Sequence, residues 1–271
     1  MSGPSPQPPE GWVGTTGGVR ERLAIGGTLA IAAVSFLTGI VAARGGNATA
    51  TKYCLLFALA MALVAALGAA IGFRRVGLSA AVRTVREPGG VPATEIRYSA
   101  LQFTLLVSLT VCCAVFFLVA AVEVFVRRQG GVAAALLGAG ALFFGSFVAM
   151  AASGRIRRGG VTLSRRGITH RGWSFESRLE WPAIAGVKPA FNGYPVILLI
   201  GYTNADWDRR YTTRLWRIDR LPPVPMIEAD CRRMDVDPGV LYRYLQAYVD
   251  SPDARSELGS EASLIRARKS L

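Results

Sequence analysis

Hydrophobic residues are concentrated in four long blocks in the first half of the chain, and charged residues lie only at the block edges. A helical block of about 20 residues reaches about 30 Å, the thickness of the hydrocarbon core of a bilayer. A lysine or arginine at mid-bilayer costs about 3 kcal/mol, so this exclusion of charge is what membrane-spanning helices require. The pattern predicts a bundle of four transmembrane helices, at about 23–43, 53–73, 101–126 and 132–152.

After residue 153 the pattern changes to short runs in which apolar and polar residues alternate between turn residues. The runs cover 160–164, 167–172, 177–181, 187–191, 196–202, 211–218 and 224–230. Alternation with a period of two is typical of β-strands that bury one face. We therefore predict seven short strands.

A helix follows these strands. Asp237 is a favourable N-cap, and Pro238 suits the first helical position. The residues that would share one apolar face are Leu241, Tyr244, Leu245 and Tyr248. The pattern predicts a small β-barrel or sandwich with a capping helix over 153–250. The flanking segments 1–22, which is rich in proline, and 251–271 are predicted to be tails, the first of them disordered and cytoplasmic.

Lysine and arginine are distributed unevenly between the two sides of the predicted bundle. Twelve lie near the helix ends on the side of the chain termini and four on the opposite side. The positive-inside rule places both termini in the cytoplasm. Arginine outnumbers lysine 28 to 3, a bias typical of GC-rich bacterial genomes, so a multi-pass protein of the bacterial inner membrane is expected.

The net charge of +13 requires a partner or a topological explanation. The four cysteines and the single histidine show no metal-ligand spacing, and no phosphate-binding loop, dinucleotide fingerprint or nucleophile motif occurs. We therefore expect no metal, no cofactor and no catalytic residue. Nucleic acid is not an expected partner, because most of the charge is explained by the membrane and no recognition helix is evident.

Two features of the predicted helices have both a structural and a functional interpretation. Glu123 is the one acid in an apolar block, and Arg127 follows it by four residues. This spacing favours a structural ion pair on one helix, and a role in transport is the alternative. The small-residue rows Gly68–Gly72 and Ala141–Gly145–Ala149 favour packing within the bundle, with homo-oligomerisation as the alternative.

The basic segment 74–86 connects the second and third blocks. Leu78, Val82 and Val85 recur at helical spacing, and arginines lie off that stripe. An amphipathic helix on anionic headgroups and a solvated basic loop are both compatible with this pattern.

The stretch that begins GVTLSRRGITHRGW resembles the opening of bacterial pleckstrin-homology-like domains at Gly167, Ile168, Trp181 and Ile184. The closing DPGVLYRYLQAYVDSPDARSELG is similar to the end of such domains in actinobacterial membrane proteins, and the resemblance covers about 160–259. The segment LPPVPMIEADCRRMD departs from the shorter form of these domains. The resemblance implies a platform that binds phospholipid headgroups or a protein partner.

The sequence therefore predicts a non-enzymatic scaffold or sensor that binds anionic lipid headgroups or a protein partner. A small-solute transporter, or an accessory subunit of one, is the first alternative; a membrane-bound lipid-modifying enzyme that would depend on His170 is the second. The candidate binding residues are arginines near the fourth helix and in the first two strands, together with one tryptophan in a polar turn: Arg155, Arg157, Arg158, Arg165, Arg166, Arg171 and Trp207.

Overall fold

The computed structural model describes residue 12 and residues 18–73, 77–128 and 130–269, which form two compact units. The helical unit comprises the described residues of Thr16–Phe73 and Ala100–Ile156. The sheet unit comprises Trp12 and the described residues of Arg74–Ser99 and Arg157–Leu271. The sheet unit is thus assembled from segments that lie on both sides of two long helices in the chain. The predicted segment 153–250 contains only part of it.

Four helices are long and apolar enough to cross a membrane, which confirms the four predicted spans. They are α1 (Gly18–Arg44), α2 (Ala48–Phe73), α4 (Ala100–Val126) and α5 (Gly131–Ala152). The helix α3 (Leu78–Ala81) is a single turn in the sheet unit.

Glycines allow close contact between α1 and α2. A Cβ atom at Gly68 would lie 3.2 Å from Cγ1 of Ile25, and one at Gly72 would lie 3.3 Å from Oε2 of Glu21. The Gly68–Gly72 row therefore packs within the chain. Apart from its chain neighbours and the backbone of its own helix, no described atom lies within 4 Å of the position that a Cβ would take at Gly145. Homo-oligomerisation through the row in α5 stays a prediction.

Glu123 connects the ends of α2 and α4. Its carboxylate pairs with Arg127 at 2.7 Å, which confirms the predicted helical ion pair, and also with Lys52. The Tyr53 hydroxyl donates to it at 2.8 Å and the Thr49 hydroxyl at 3.1 Å. Four side chains thus bind the one carboxylate and hold the two helix ends together.

The sheet unit contains two antiparallel sheets, one with the strand order β1-β2-β3-β4-β5-β8 and one with the order β6-β7-β9. The strands are β1 (Val82–Arg86), β2 (Pro92–Arg97), β3 (Gly160–Ser164), β4 (Gly167–Arg171), β5 (Phe175–Glu180), β6 (Ile184–Phe191), β7 (Pro195–Gly201), β8 (Trp207–Tyr211) and β9 (Met226–Asp230).

The segment between α2 and α4 differs from both sequence-based expectations. It forms the hairpin β1–β2 instead of an amphipathic helix or a solvated loop, and β2 pairs with β3 over five residues. The hairpin turn contains Gly89 and Gly90 at φ 94° and 76°, a region that glycine adopts without steric cost. Leu78 and Val82 of the predicted lipid-facing stripe are buried in the sheet unit.

Alternate residues on one face of the six-stranded sheet form its apolar core. Ile96, Val161, Ile168 and Leu179 are fully buried, and they come from four consecutive strands of the sheet. Their neighbours in sequence point to the opposite face because side chains alternate along a strand. The opposite face is therefore available for polar residues.

The predicted barrel is not formed, because neither sheet closes on itself. Strand β5 pairs with β4 on one side and with β8 on the other, so it offers no free edge to β6. The predicted strand 211–218 is also wrong: β8 ends at Tyr211, and the following residues are anchored through the buried Asp219.

The predicted helix is confirmed as α6 (Pro238–Asp250), with its whole predicted apolar face buried. The Asp237 side chain accepts hydrogen bonds from the backbone N–H groups of Gly239 and Val240, as expected of an N-cap. Helix α6 packs on β6 and β7 of the three-stranded sheet.

The two predicted tails contain ordered structure. Residues 251–269 include the helix α7 (Glu261–Lys269), whose Ser263 hydroxyl bonds to Thr94 of β2 at 2.9 Å. Within the predicted tail 1–22, residues 18–22 belong to α1, and Trp12 is buried with its indole N–H donating to the carbonyl of Ala190 at 2.8 Å. The remainder of that tail lies outside the described residues.

Candidate functional site: an arginine-lined groove

The polar face of the six-stranded sheet carries the candidate site. Because the strands are in register, residues from different strands line up in two rows across this face. The first row is Arg83, Glu95, Thr162, Thr169, Arg178 and Asp208. The second row is Arg97, Gly160, Arg171, Glu176 and Arg210.

The two rows contribute to a groove of about 610 Å³. Nine arginines and four carboxylates line it, so its net charge is +5. The arginines are Arg83, Arg86, Arg97, Arg157, Arg158, Arg171, Arg178, Arg209 and Arg210. A groove of this size and charge is suited to a small anionic group.

The carboxylates neutralise only part of the positive charge. Glu95 pairs with Arg83 at 2.5 Å, and Glu176 pairs with Arg210 at 2.9 Å. In the part of the chain that the structure describes, Arg86, Arg157 and Arg178 form no ion pair. Their guanidinium donors are therefore available to an external anion.

Positive charges in the groove also repel one another. Burial and the neighbouring Arg97 lower the pKa of Arg158, and burial and Arg157 lower the pKa of Arg171. Arginine remains protonated at neutral pH despite such effects. An anion placed between these side chains would relieve the repulsion, which is the electrostatic property expected of an anion-binding site.

Three of the predicted binding residues lie in the groove, namely Arg157, Arg158 and Arg171. The guanidinium of Arg158 donates to the backbone carbonyl of Tyr98. This contact fixes the side chain at the end of β2, beside the second row.

The other four predicted residues lie elsewhere. Arg165 and Arg166 lie on another surface of the sheet unit beside Trp181. Arg155 belongs to the helical unit. Trp207 is half-buried, and its indole N–H donates to the Ser177 hydroxyl at 2.7 Å, so the ring is fixed on the sheet instead of projecting into solvent.

Sequence reasoning missed most of the groove arginines, above all Arg83, Arg86 and Arg97 of the inserted hairpin. A signal was present: 82–97 contains two alternating runs on either side of Pro88-Gly89-Gly90, which is typical of a hairpin. Arg178 and Arg210 lie in strands, but their cross-strand neighbours become known only from the register.

His170 lies on the opposite, core face of the sheet. It is 3% exposed, as expected of a packed strand residue, and its Nε2 lies 2.6 Å from the Tyr98 hydroxyl. Burial, assisted by Arg233, lowers the pKa of His170 to about 3. The imidazole is therefore neutral at pH 7.

Acid should destabilise the sheet unit through His170. In the unfolded chain His170 binds a proton below pH 6.5, whereas in the folded chain it binds one only near pH 3. The contribution of the neutral, buried His170 to stability is therefore intact above pH 6.5 and is lost as the pH falls towards 3. We expect a loss of about 1.4 kcal/mol per pH unit in this range.

Urea unfolding of the full chain, followed by tryptophan fluorescence, measures this loss because all five tryptophans lie in the sheet unit. His170→Gln retains a hydrogen-bonding group and cannot titrate, so its stability should fall less steeply with acid than that of the unchanged chain. Parallel pH dependences for the two chains would contradict the assignment.

Among the described residues, no group of three or more histidine, cysteine, aspartate or glutamate side chains could hold a metal ion. Comparison of the chain with protein-family models, with curated proteins and with solved structures finds no match. Function is therefore inferred from the residues of the groove.

Proposed function

We propose that the chain is a membrane-anchored recognition protein, a scaffold or sensor, whose sheet unit binds the phosphate of anionic lipid headgroups in the arginine-lined groove. The observation that carries this proposal is the excess of nine arginines over four carboxylates around a single groove. Arginine presents planar N–H donors that match phosphate oxygens in pairs. Arg86, Arg157 and Arg178 supply such donors without first breaking an ion pair.

The chain itself supports a lipid as the source of the phosphate. Arg97 precedes α4 by three residues, and Arg157 follows α5 by five residues. Arginines so close to a membrane-spanning helix along the chain lie within reach of headgroups, where each contributes about 1 kcal/mol of attraction to an anionic surface.

The pairing of β2 with β3 supports a single side of the membrane for the whole sheet unit. Strand β2 precedes α4 and β3 follows α5, yet the two strands share one hydrogen-bonded ladder. A bilayer cannot pass through a sheet, so α4 and α5 must bring the chain back to the side from which it left. The excess of arginine on this side favours the cytoplasm of a bacterial cell.

We further interpret the sheet unit as a pleckstrin-homology-like platform of the kind that bacterial, including actinobacterial, membrane proteins carry. Two antiparallel sheets followed by a helix that packs on the second sheet support this interpretation. The hairpin β1–β2 would be an addition that widens the first sheet. A protein partner of the same platform is the alternative ligand.

Transport and lipid modification have less support. The carboxylate of Glu123, on which transport would depend, is bound by four side chains that tie α2 to α4. His170, the candidate for catalysis, is buried beneath the sheet and bonded to Tyr98. Both arrangements favour structural roles for these residues.

The groove is tested with the full chain in detergent, titrated with short-chain phosphatidylglycerol, phosphatidylcholine or glycerol phosphate. We expect the triple variant Arg86→Gln/Arg157→Gln/Arg178→Gln to bind phosphatidylglycerol on the order of 1,000-fold more weakly, because each of the three lost charged contacts is worth about tenfold. Thermophoresis of the labelled protein measures the affinities.

A matched control is Arg166→Gln/Arg243→Gln/Arg268→Gln, which removes the same charge from exposed positions outside the groove. It should bind like the unchanged chain. Equal losses in the two triple variants would overturn the groove as the site. Equal binding of phosphatidylglycerol and glycerol phosphate would indicate a soluble ligand instead of a lipid.

A further inference from the structure

A second surface of the sheet unit, independent of the groove, has the composition of a membrane-contacting loop. It is the turn between β8 and β9 centred on Arg214 and Leu215. Leu215 is 61% exposed, the most exposed large hydrophobic side chain described in the sheet unit. An isolated exposed leucine is ordinary in a soluble protein. Its surroundings are what make this one informative.

The charge around Leu215 has one sign. Between residues 211 and 227, outside the groove, the chain carries three arginines and a single acid, Asp219. That acid is 5% exposed and pairs with Arg233, so it does not offset the arginines at the surface. The exposed arginines next to the leucine are Arg214, Arg217 and Arg220.

Two side-chain contacts brace the turn. The Thr213 hydroxyl donates to the carbonyl of Trp216 at 2.7 Å, which closes a turn with Arg214 and Leu215 at its tip. The guanidinium of Arg217 lies 4.7 Å from the ring centre of Tyr211. These contacts reduce the conformational entropy that the tip would lose when it binds a partner.

We propose that this turn inserts Leu215 into the surface of an anionic bilayer, with Arg214 and Arg217 at the phosphate level on either side. A leucine between arginines, followed in the chain by the half-buried Trp216, combines the apolar and cationic groups that hold proteins at membrane interfaces. The spanning helices keep the unit close to a bilayer, so a bilayer is the partner that the chain itself supplies. This inference requires only membrane anchoring and does not depend on the groove.

The test uses the full chain in nanodiscs of phosphatidylcholine with or without phosphatidylglycerol. Leu215→Cys carries an environment-sensitive fluorophore, and lipids with a nitroxide in the acyl chain quench it on contact. The matched control is Ile265→Cys on α7, which is exposed in the same unit. The unchanged chain, treated identically, measures the background from the four native cysteines.

We expect several-fold stronger quenching at position 215 than at position 265 in anionic nanodiscs. Adding Arg214→Gln/Arg217→Gln should reduce the quenching at position 215, while the groove triple variant should leave it unchanged. The groove and the turn can therefore fail separately. Equal quenching at positions 215 and 265 in anionic nanodiscs would overturn the proposal and assign the turn to a protein partner.

Discussion

The segment 157–271 expressed alone should fail to fold, although it contains seven of the nine strands. Without residues 77–99, which contain α3 and the hairpin, the core of the sheet unit loses Leu78, Val82, Ala93, Ile96 and Tyr98, all buried to 6% exposure or less. Burial of each large side chain contributes about 1.5–3 kcal/mol. The total is comparable to the free energy of unfolding of a whole domain, about 5–15 kcal/mol. Strand β3, which pairs with β2 in the full chain, would also expose an unpaired edge, which favours aggregation.

Restoring the hairpin should restore the fold. Tyr98, just before α4, donates its backbone N–H at 3.0 Å to the carbonyl of Gly159, which follows α5. The two points of the sheet unit that α4 and α5 connect are therefore adjacent. A linker of about four glycine and serine residues between 77–99 and 157–271 can therefore replace both helices. We expect cooperative thermal unfolding by circular dichroism for the linked chain and none for 157–271. Cooperative unfolding of 157–271 alone would mean that the hairpin is an accessory.

The four spans and the helix α6 could be predicted because their signals are local. An uncharged block of sufficient length identifies a spanning helix without knowledge of its neighbours. Asp237, Pro238 and the four apolar residues of α6 likewise lie within one short stretch. Tertiary contacts confirm such elements but are not needed to find them.

The hairpin β1–β2 could not be assigned from local signals because its partner in the sheet, β3, is distant in the sequence. Arg83, Val85 and Arg97 lie on the polar face of the sheet. Over so few residues, the spacing of apolar and charged positions in this segment is compatible with a strand and also with one side of a helix. Only the hydrogen-bonded ladder between β2 and β3, which are separated in the chain by α4 and α5, decides between strand and helix.

The candidate site was predictable only for residues that lie near the end of a predicted spanning helix or in a predicted strand. Arg157 and Arg158 stand out at the end of a spanning block, and Arg171 lies in a predicted strand. Arg210 becomes a neighbour of Glu176, and Asp208 a neighbour of Arg178, only through the pairing of β5 with β8, and β8 itself begins before the predicted strand. A groove built across a sheet is determined by register, which composition does not encode.

Asp219 should be the most sensitive polar residue of the sheet unit. It is 5% exposed, pairs with Arg233, and accepts the backbone N–H groups of Trp173 at 2.5 Å and Ser174 at 3.3 Å. Removing one partner of a buried ion pair leaves an uncompensated charge, so Asp219→Ala should lower the free energy of unfolding by about 3–5 kcal/mol. Asp219→Asn keeps an acceptor for the backbone and should lose less.

The matched control is Glu257→Ala, which breaks a carboxylate–guanidinium pair with Arg266 that is more exposed than the Asp219 pair. Partly exposed pairs contribute about 0–1 kcal/mol, so this variant should unfold almost like the unchanged chain. Urea unfolding of the full chain in mild detergent, followed by tryptophan fluorescence, gives all three values. Losses that are equal for Asp219→Ala and Glu257→Ala would mean that the Asp219–Arg233 pair is solvated. In that case Arg233, whose carbonyl accepts the backbone N–H of Ser99 at 2.7 Å, would no longer be fixed by a buried charge.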